Sequence, residues 1–257
     1  MINKIFALPV IEQLTPVLSR RQLDDLELIV VDHPQVKASV ALQGAHLLSW
    51  KPAGEEEVLW LSGNTPFKNG VALRGGVPIC WPWFGPSAQP GLPSHGFARN
   101  LPWALKGHDE DDKGAVLTFE LKSSEATRQY WPHEFTLLAR FKLGKTCEIE
   151  LEAHGEFETT SALHTYFNVG DIAAVKVSGL GERYIDKVKK RGRRRFEQWH
   201  RDLSRSYRPR VSECRNLQRD SRRCAEPQYR RYASSQQQRG GLEPGSGAFR
   251  QHGRHAG

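Results

Sequence analysis

A change of composition near Val188 constrains this chain more than any motif in it. From Lys189 to Gly257, 69 residues hold three leucines, two phenylalanines, one valine and no isoleucine. A segment needs roughly 20% of such residues to bury a core, and six in 69 falls far below that. Charge breaks at the same point. Of the 37 Lys+Arg and 29 Asp+Glu in the chain, 19 and 6 lie beyond Val188, leaving 18 and 23 in front of it. The formal +8 therefore combines a front at −5 with a tail at +13. Two parts follow. Residues 1–188 can fold around a core, and 189–257 form an Arg-rich tail expected to be disordered. A tail of that charge is expected to bind nucleic acid adventitiously, through phosphate contacts and through Tyr207, Tyr229 and Tyr232 stacking on bases.

The front reads as strands. LELIVVDHP, VKASVALQGAHLLSW and EEVLWLS are β-rich runs cut by Asp-His-Pro, Gln-Gly and Pro-Ala-Gly. PAGEEE predicts a hairpin turn, with Pro52 and Gly54 supplying the bend. NLPWALKGH, GAVLTFELKSS, FTLLARFKL, TCEIELEAHG and TSALHTYFNVG add five candidate strands in the rhythm of an antiparallel all-β domain. AVLTFEL and CEIELEA alternate apolar with polar, so each should have one wet face. EATRQYWPHEF predicts a short helix or an irregular crossover ended by Pro132.

Between these runs lies Ala72–Arg99, a stretch that can be neither helix nor regular sheet. Gly75, Gly76, Pro78, Pro82 and Pro86 forbid the one and interrupt the other. Trp81, Trp83 and Phe97 set among fixed-φ prolines suit a stiff cleft for a sugar, whose C–H face wants rings and whose hydroxyls want fixed polar groups. Arg74 and Arg99 at its ends offer the forked donors that match a phosphate or carboxylate. Core packing of the same tryptophans is the alternative.

Other chemistries find little support. No apolar run reaches the length of a membrane helix, and Pro9 and Glu12 interrupt the apolar start, so a cytoplasmic protein is expected. Cys80, Cys147, Cys214 and Cys224 show no metal or disulfide spacing. No metal and no cofactor are expected. Among the front's histidines, His33, His46, His108, His133 and His154 read as solvated or capping groups. His95, in SHGFAR, and His164, in SALHTYFNVG, can serve as acid or base at neutral pH.

RGGVPICWPWFGP, LPSHGFARNLPW and ALHTYFNVGD, in that order, resemble the hexose-6-phosphate mutarotases (glucose-6-phosphate 1-epimerases) of the aldose 1-epimerase, galactose-mutarotase-like superfamily. The resemblance covers residues 1–188. It implies an all-β, antiparallel β-sandwich, here incomplete at the C-terminus, with a hexose 6-phosphate in a cleft of one sheet. It implies an isomerase that interconverts α and β anomers by acid/base ring opening, without metal or cofactor, in a protein expected to be monomeric. By the resemblance, His164 is the acid on the ring oxygen and His95 holds a sugar hydroxyl or supports the acid. Arg74 and Arg99 hold the substrate with its phosphate, and Trp81, Trp83 and Phe97 wall the pocket.

The family's base, a glutamate on a late strand beyond a Trp-Asn-Pro segment, has no counterpart beyond residue 188. RGGLEPGSGAF (239–249) can nevertheless be written in codons whose next frame reads Val-Val-Gly-Trp-Asn-Pro-Gly-Pro-Ala-Leu. RDLSRSYRPR (201–210) can likewise be written so that the shifted frame carries Asp-Arg-Thr-Asp-Arg. Both fall where the family has such residues. A frameshift between Lys187 and Lys190 is therefore expected, with a chain of little or no activity. A non-catalytic sugar-phosphate-binding fragment is the alternative.

Overall fold

The computed structural model describes residues 2–175 and the backbone of 183–186 and 191–195. A short helix, α1 (Ile2–Phe6), precedes five strands that run as an antiparallel meander: β1 (Val10–Gln13), β2 (Leu18–Leu23), β3 (Leu26–His33), β4 (Val36–Ala41) and β5 (His46–Pro52). Two-residue turns join them where a tight bend is available. Asp24, at φ 49°, takes the left-handed corner between β2 and β3, and Pro34–Gln35 turns β3 into β4.

β6 (Ile79–Cys80) lies in the Pro-rich stretch. A second antiparallel sheet follows, ordered β10-β9-β8-β7, from β7 (Ala104–Asp111), β8 (Gly114–Lys122), β9 (Thr136–Gly144) and β10 (Cys147–His154). The Asp111 carboxylate accepts from Lys113 N and Gly114 N and so caps the β7–β8 turn. Between β8 and β9 sits α2 (Glu125–Tyr130). Ser124 and Thr127 close a reciprocal cap at its start, and Pro132 stands just past its end.

The sheets stack as a sandwich, β3 against β8 and β4 against β9. The indole of Trp50 on β5 donates across to Gly144 O at 3.0 Å. The other face of the first sheet is covered too. Leu26, Leu28 and Val30 join Ile5, Leu61, Phe67 and Leu73 in one buried cluster. This is an all-β antiparallel sandwich, as expected from the strand rhythm.

Two differences from expectation stand out. The strands β1 and β2 are not foreseen, because VIEQ is short and exposed throughout and SRRQ hides its alternation. TSALHTYFNVG is not one long strand. Only β11 (Ala162–Leu163) pairs regularly, with β6, before Thr165 N turns back to Leu163 O. Beyond Asn168 the chain enters a separate compact unit. There Asp171 caps a short 3-10 turn at Ile172–Ala174, and β12 (Arg183–Asp186) pairs with β13 (Arg191–Arg195). Within the stretch expected to be disordered, the backbone of 191–195 is thus a strand; the rest of that expectation lies outside the described residues. No described helix is long and apolar enough to cross a membrane.

Candidate functional site

The site is built on short backbone ties rather than long ladders. Leu61 bridges Gly75, Val77 bridges Leu47 on β5, and Leu59 bridges Phe167. His164 N donates to Pro78 O at 3.1 Å and Tyr166 N to Gly76 O at 2.9 Å. Residues 162–167 are therefore laid along 76–80, which brings the third motif onto the first. The two glycines are required there. A Cβ on Gly76 would lie 2.2 Å from Leu47 O, and one on Gly75 would lie 2.5 Å from Trp60 O.

His95 is held by the same loop. Its backbone N donates to Gly85 O at 2.7 Å, and its Nδ1 accepts from Gly85 N at 3.2 Å. An accepting Nδ1 leaves the proton of the neutral ring on Nε2, so His95 presents a donor. The backbone at His95 takes φ 70°, and Gly96 beside it leaves room for Trp81 O. The rings of His95 and His164 stand 6.2 Å apart, with Phe84 5.0 Å from one and 6.1 Å from the other. Tyr166 continues the row 5.0 Å from His164, and Trp60 lies 5.9 Å beyond.

The arginines differ. Arg74 is exposed and, among the described residues, has no carboxylate within salt-bridge distance; its backbone N is fixed by the Thr65 hydroxyl at 2.9 Å. Arg99 is half-buried and donates through Nη2 to Ser94 O at 2.9 Å. Between their segments sits His46. It is fully buried and donates from Nε2 to Gly75 O at 2.8 Å, not solvated as expected. Burial lowers its pKa to about 4, the Gly75 bond opposes this, and the Arg99 charge adds to it.

Of the rings expected to wall a pocket, Trp81 and Phe97 follow the alternative, core packing. Trp81 and Phe97 are 1% and 3% exposed. Trp81 packs edge-on with Phe97, Phe135, Trp131 and Phe157, and Phe97 lies tilted against Phe135, as core. Trp83 is half-buried and tied by its indole to Pro93 O. The rings on the histidine row are Phe84, Tyr166 and Trp60. Tyr166 and Trp60 sat in view in HTYFN and VLWLS, and strand alternation was the available signal. Glu57 was also missed. Its carboxylate accepts from Ser49 Oγ, Trp50 N and Leu59 N, and its carbonyl from Asn168 Nδ2. Burial pushes its pKa up, against those donors. It braces the segment that follows His164.

Cys80 and Cys147 are buried thiols, and burial pushes Cys147 up to about 12. Among the described residues no group of three His, Cys, Asp or Glu could hold a metal.

The aldose 1-epimerase family model matches residues 27–206. The chain belongs to the aldose 1-epimerase family. It is 89% identical over 188 residues to a Salmonella typhimurium protein named "Putative glucose-6-phosphate 1-epimerase", and 81% identical to an Escherichia coli protein of the same name. Each match covers 73% of this chain and 64% of the relative's length. The crystal structure of a Salmonella typhimurium protein described as a "putative mutarotase" superposes with a TM-score of 0.73 at 83% identity. That match covers 76% of this chain and 69% of the other.

Proposed function

We propose that residues 1–188 are the front of a hexose-6-phosphate mutarotase, and that the chain as a whole is an impaired form of it. The observation that carries the reading is the pair of imidazoles 6.2 Å apart, with the exposed guanidinium of Arg74 beside Gly75, which bridges Leu61. Mutarotation opens the ring when an acid protonates the ring oxygen while a base removes the proton of the anomeric hydroxyl. The aldehyde then rotates and recloses. In this reading His164 is the acid, and His95, donating from Nε2, holds a hydroxyl. Arg74 and Arg99 hold the phosphate, and Trp83 flanks it. The reading places the activity in the cytoplasm, where a phosphate ester, which does not cross a bilayer, is retained; a monomer suffices.

The impairment rests on sequence. The relatives match over 188 residues and then continue, whereas here the composition turns to arginine. The family model runs 18 residues past that point, to residue 206. A frameshift between Lys187 and Lys190 accounts for the change and removes the glutamate base. A positioned base is worth about 10²–10⁴-fold, so this chain should convert anomers slower by about that factor than a full-length relative, while still binding glucose 6-phosphate. A coupled anomer-conversion assay on both proteins, with calorimetry on this one, tests it. Equal turnover overturns the impairment, and absence of binding overturns the assignment of the site. Sequencing codons 185–192 tests the frameshift, which early stops in the shifted frame would exclude. The +13 charge of the tail favours a second property, salt-sensitive retention of nucleic acid lost on deleting 189–257.

A further inference from the structure

The histidine row does not end at His164. Leu61 and Gly75 form an antiparallel bridge, with Ser62 N donating to Arg74 O at 3.0 Å and Gly76 N to Trp60 O at 2.8 Å. Alternation then decides the faces. Leu61 is 8% exposed and points into the core, so Trp60 and Ser62 point outward, with Arg74 across from Ser62 on that outer face. Trp60 is 39% exposed, a large apolar ring held in the open. Gly76, opposite Trp60, departs from this alternation: at φ 58° its missing Cβ would point to Leu47 O and the buried His46 ring. The outer face therefore runs from a guanidinium without a described carboxylate partner, past Trp60 and Tyr166, to His164 and His95.

An open indole and a half-buried phenol between a cation and two imidazoles have the chemistry of a pyranose phosphate seat. The anion meets Arg74, the C–H face of the sugar covers indole and phenol, and the ring oxygen and hydroxyls meet the imidazoles. We infer that Trp60 and Tyr166 form the shelf on which the hexose ring rests, between the phosphate held by Arg74 and the acid His164. This inference rests on the reading of the site as a hexose-6-phosphate site. It replaces Trp81 and Phe97 as the source of the aromatic surface.

The test is calorimetry on the full chain with glucose 6-phosphate and with inorganic phosphate, for the parent, Trp60→Ala and Trp60→Phe. Ring contacts of this kind are worth about two- to tenfold in affinity. Trp60→Ala should weaken glucose 6-phosphate by that factor and leave inorganic phosphate unchanged, and Trp60→Phe should restore most of the loss. A Trp60→Ala affinity equal to the parent's overturns the shelf, and shows that Trp60 is open for another reason. Should Trp60→Ala fail to fold, tryptophan emission decides instead. The change on adding glucose 6-phosphate should be clearly smaller in Trp60→Phe than in the parent, the remainder coming from Trp83, and equal changes overturn the shelf. A parent that binds no glucose 6-phosphate overturns the site assignment and the shelf together, an outcome distinct from a binding parent with an indifferent variant.

Discussion

The two sheets of this sandwich treat their faces differently. In β3, Leu28, Ile29, Val30 and Val31 are all at 0% exposure. One face packs on α1 and the 61–73 loop, and the other on the second sheet. In β8, buried Leu117, Phe119 and Leu121 alternate with half-buried Val116, Thr118 and Glu120. The outer face of the second sheet carries its charges as cross-strand pairs, Arg140–Glu150 and Lys142–Glu148. Strands largely dry on both faces, as β3, β4 and β5 are, must neutralise any polar group they take in, and His46 at the start of β5 is such a group. A sheet wet on one face can leave its ions titrating in water.

The largest expected effect follows from adjacent residues. Leu28→Ala and Ile29→Ala should each cost about 2–5 kcal/mol, because both faces of β3 are packed. In β8 the neighbours should split. Leu117→Ala should cost about as much as either, and Thr118→Ala under about 1 kcal/mol. Urea unfolding of the four variants measures this. An Ile29→Ala cost as small as that of Thr118→Ala would break the contrast, since it would leave one face of β3 unpacked.

His46 sharpens it on the pH axis. In the unfolded chain its imidazole protonates near 6.5, and burial lowers this to about 4 in the fold. Between those values the unfolded chain binds a proton that the folded chain refuses, so stability falls as pH drops from 6.5 towards 4. The full span is worth about 3 kcal/mol. His46→Gln keeps a donor for Gly75 O and removes the titration. Its stability should therefore lose that part of the acid dependence, read from unfolding midpoints at pH 6.5 and 4.5. Parallel curves for parent and variant would mean that His46 is open to water.

This contrast also decided what was legible in the sequence. The second sheet announced itself, because a half-wet strand writes its period of two into the chain, as GAVLTFELK does. The first sheet was legible in β3 and β4 through β-branched runs, but β1 and β2 were not, since VIEQ is exposed throughout and Arg20, Arg21 and Gln22 are half-buried with no alternation. At the site, motif order brought His95, His164, Arg74 and Arg99 into view. Which tryptophan is buried and which is open was not readable, because Trp81 and Trp60 look alike in the sequence, and only their exposures of 1% and 39% separate them. Glu57 was equally hidden among Glu55, Glu56 and Glu57, where only the fold selects the one whose carboxylate meets two backbone N–H groups and a hydroxyl.

The smallest expected effect lies on the wet face, and its smallness is the point. Arg140 and Glu150 are directly opposed on β9 and β10, with Nη1 and Oε2 2.8 Å apart. Their side chains are 42% and 16% exposed. The arginine is solvated enough for salt to screen it, while the carboxylate also has Lys142 Nζ at 3.8 Å. A double-mutant cycle with Arg140→Ala and Glu150→Ala should give a coupling of about 0.2–1 kcal/mol that shrinks as salt is raised. Lys142 stays near Glu150 when Arg140 is removed, so the single variant should cost little more than the coupling itself. A salt-insensitive coupling above about 2 kcal/mol would mean that this face is desolvated. The second sheet would then resemble the first, and the difference between them would lie in composition alone.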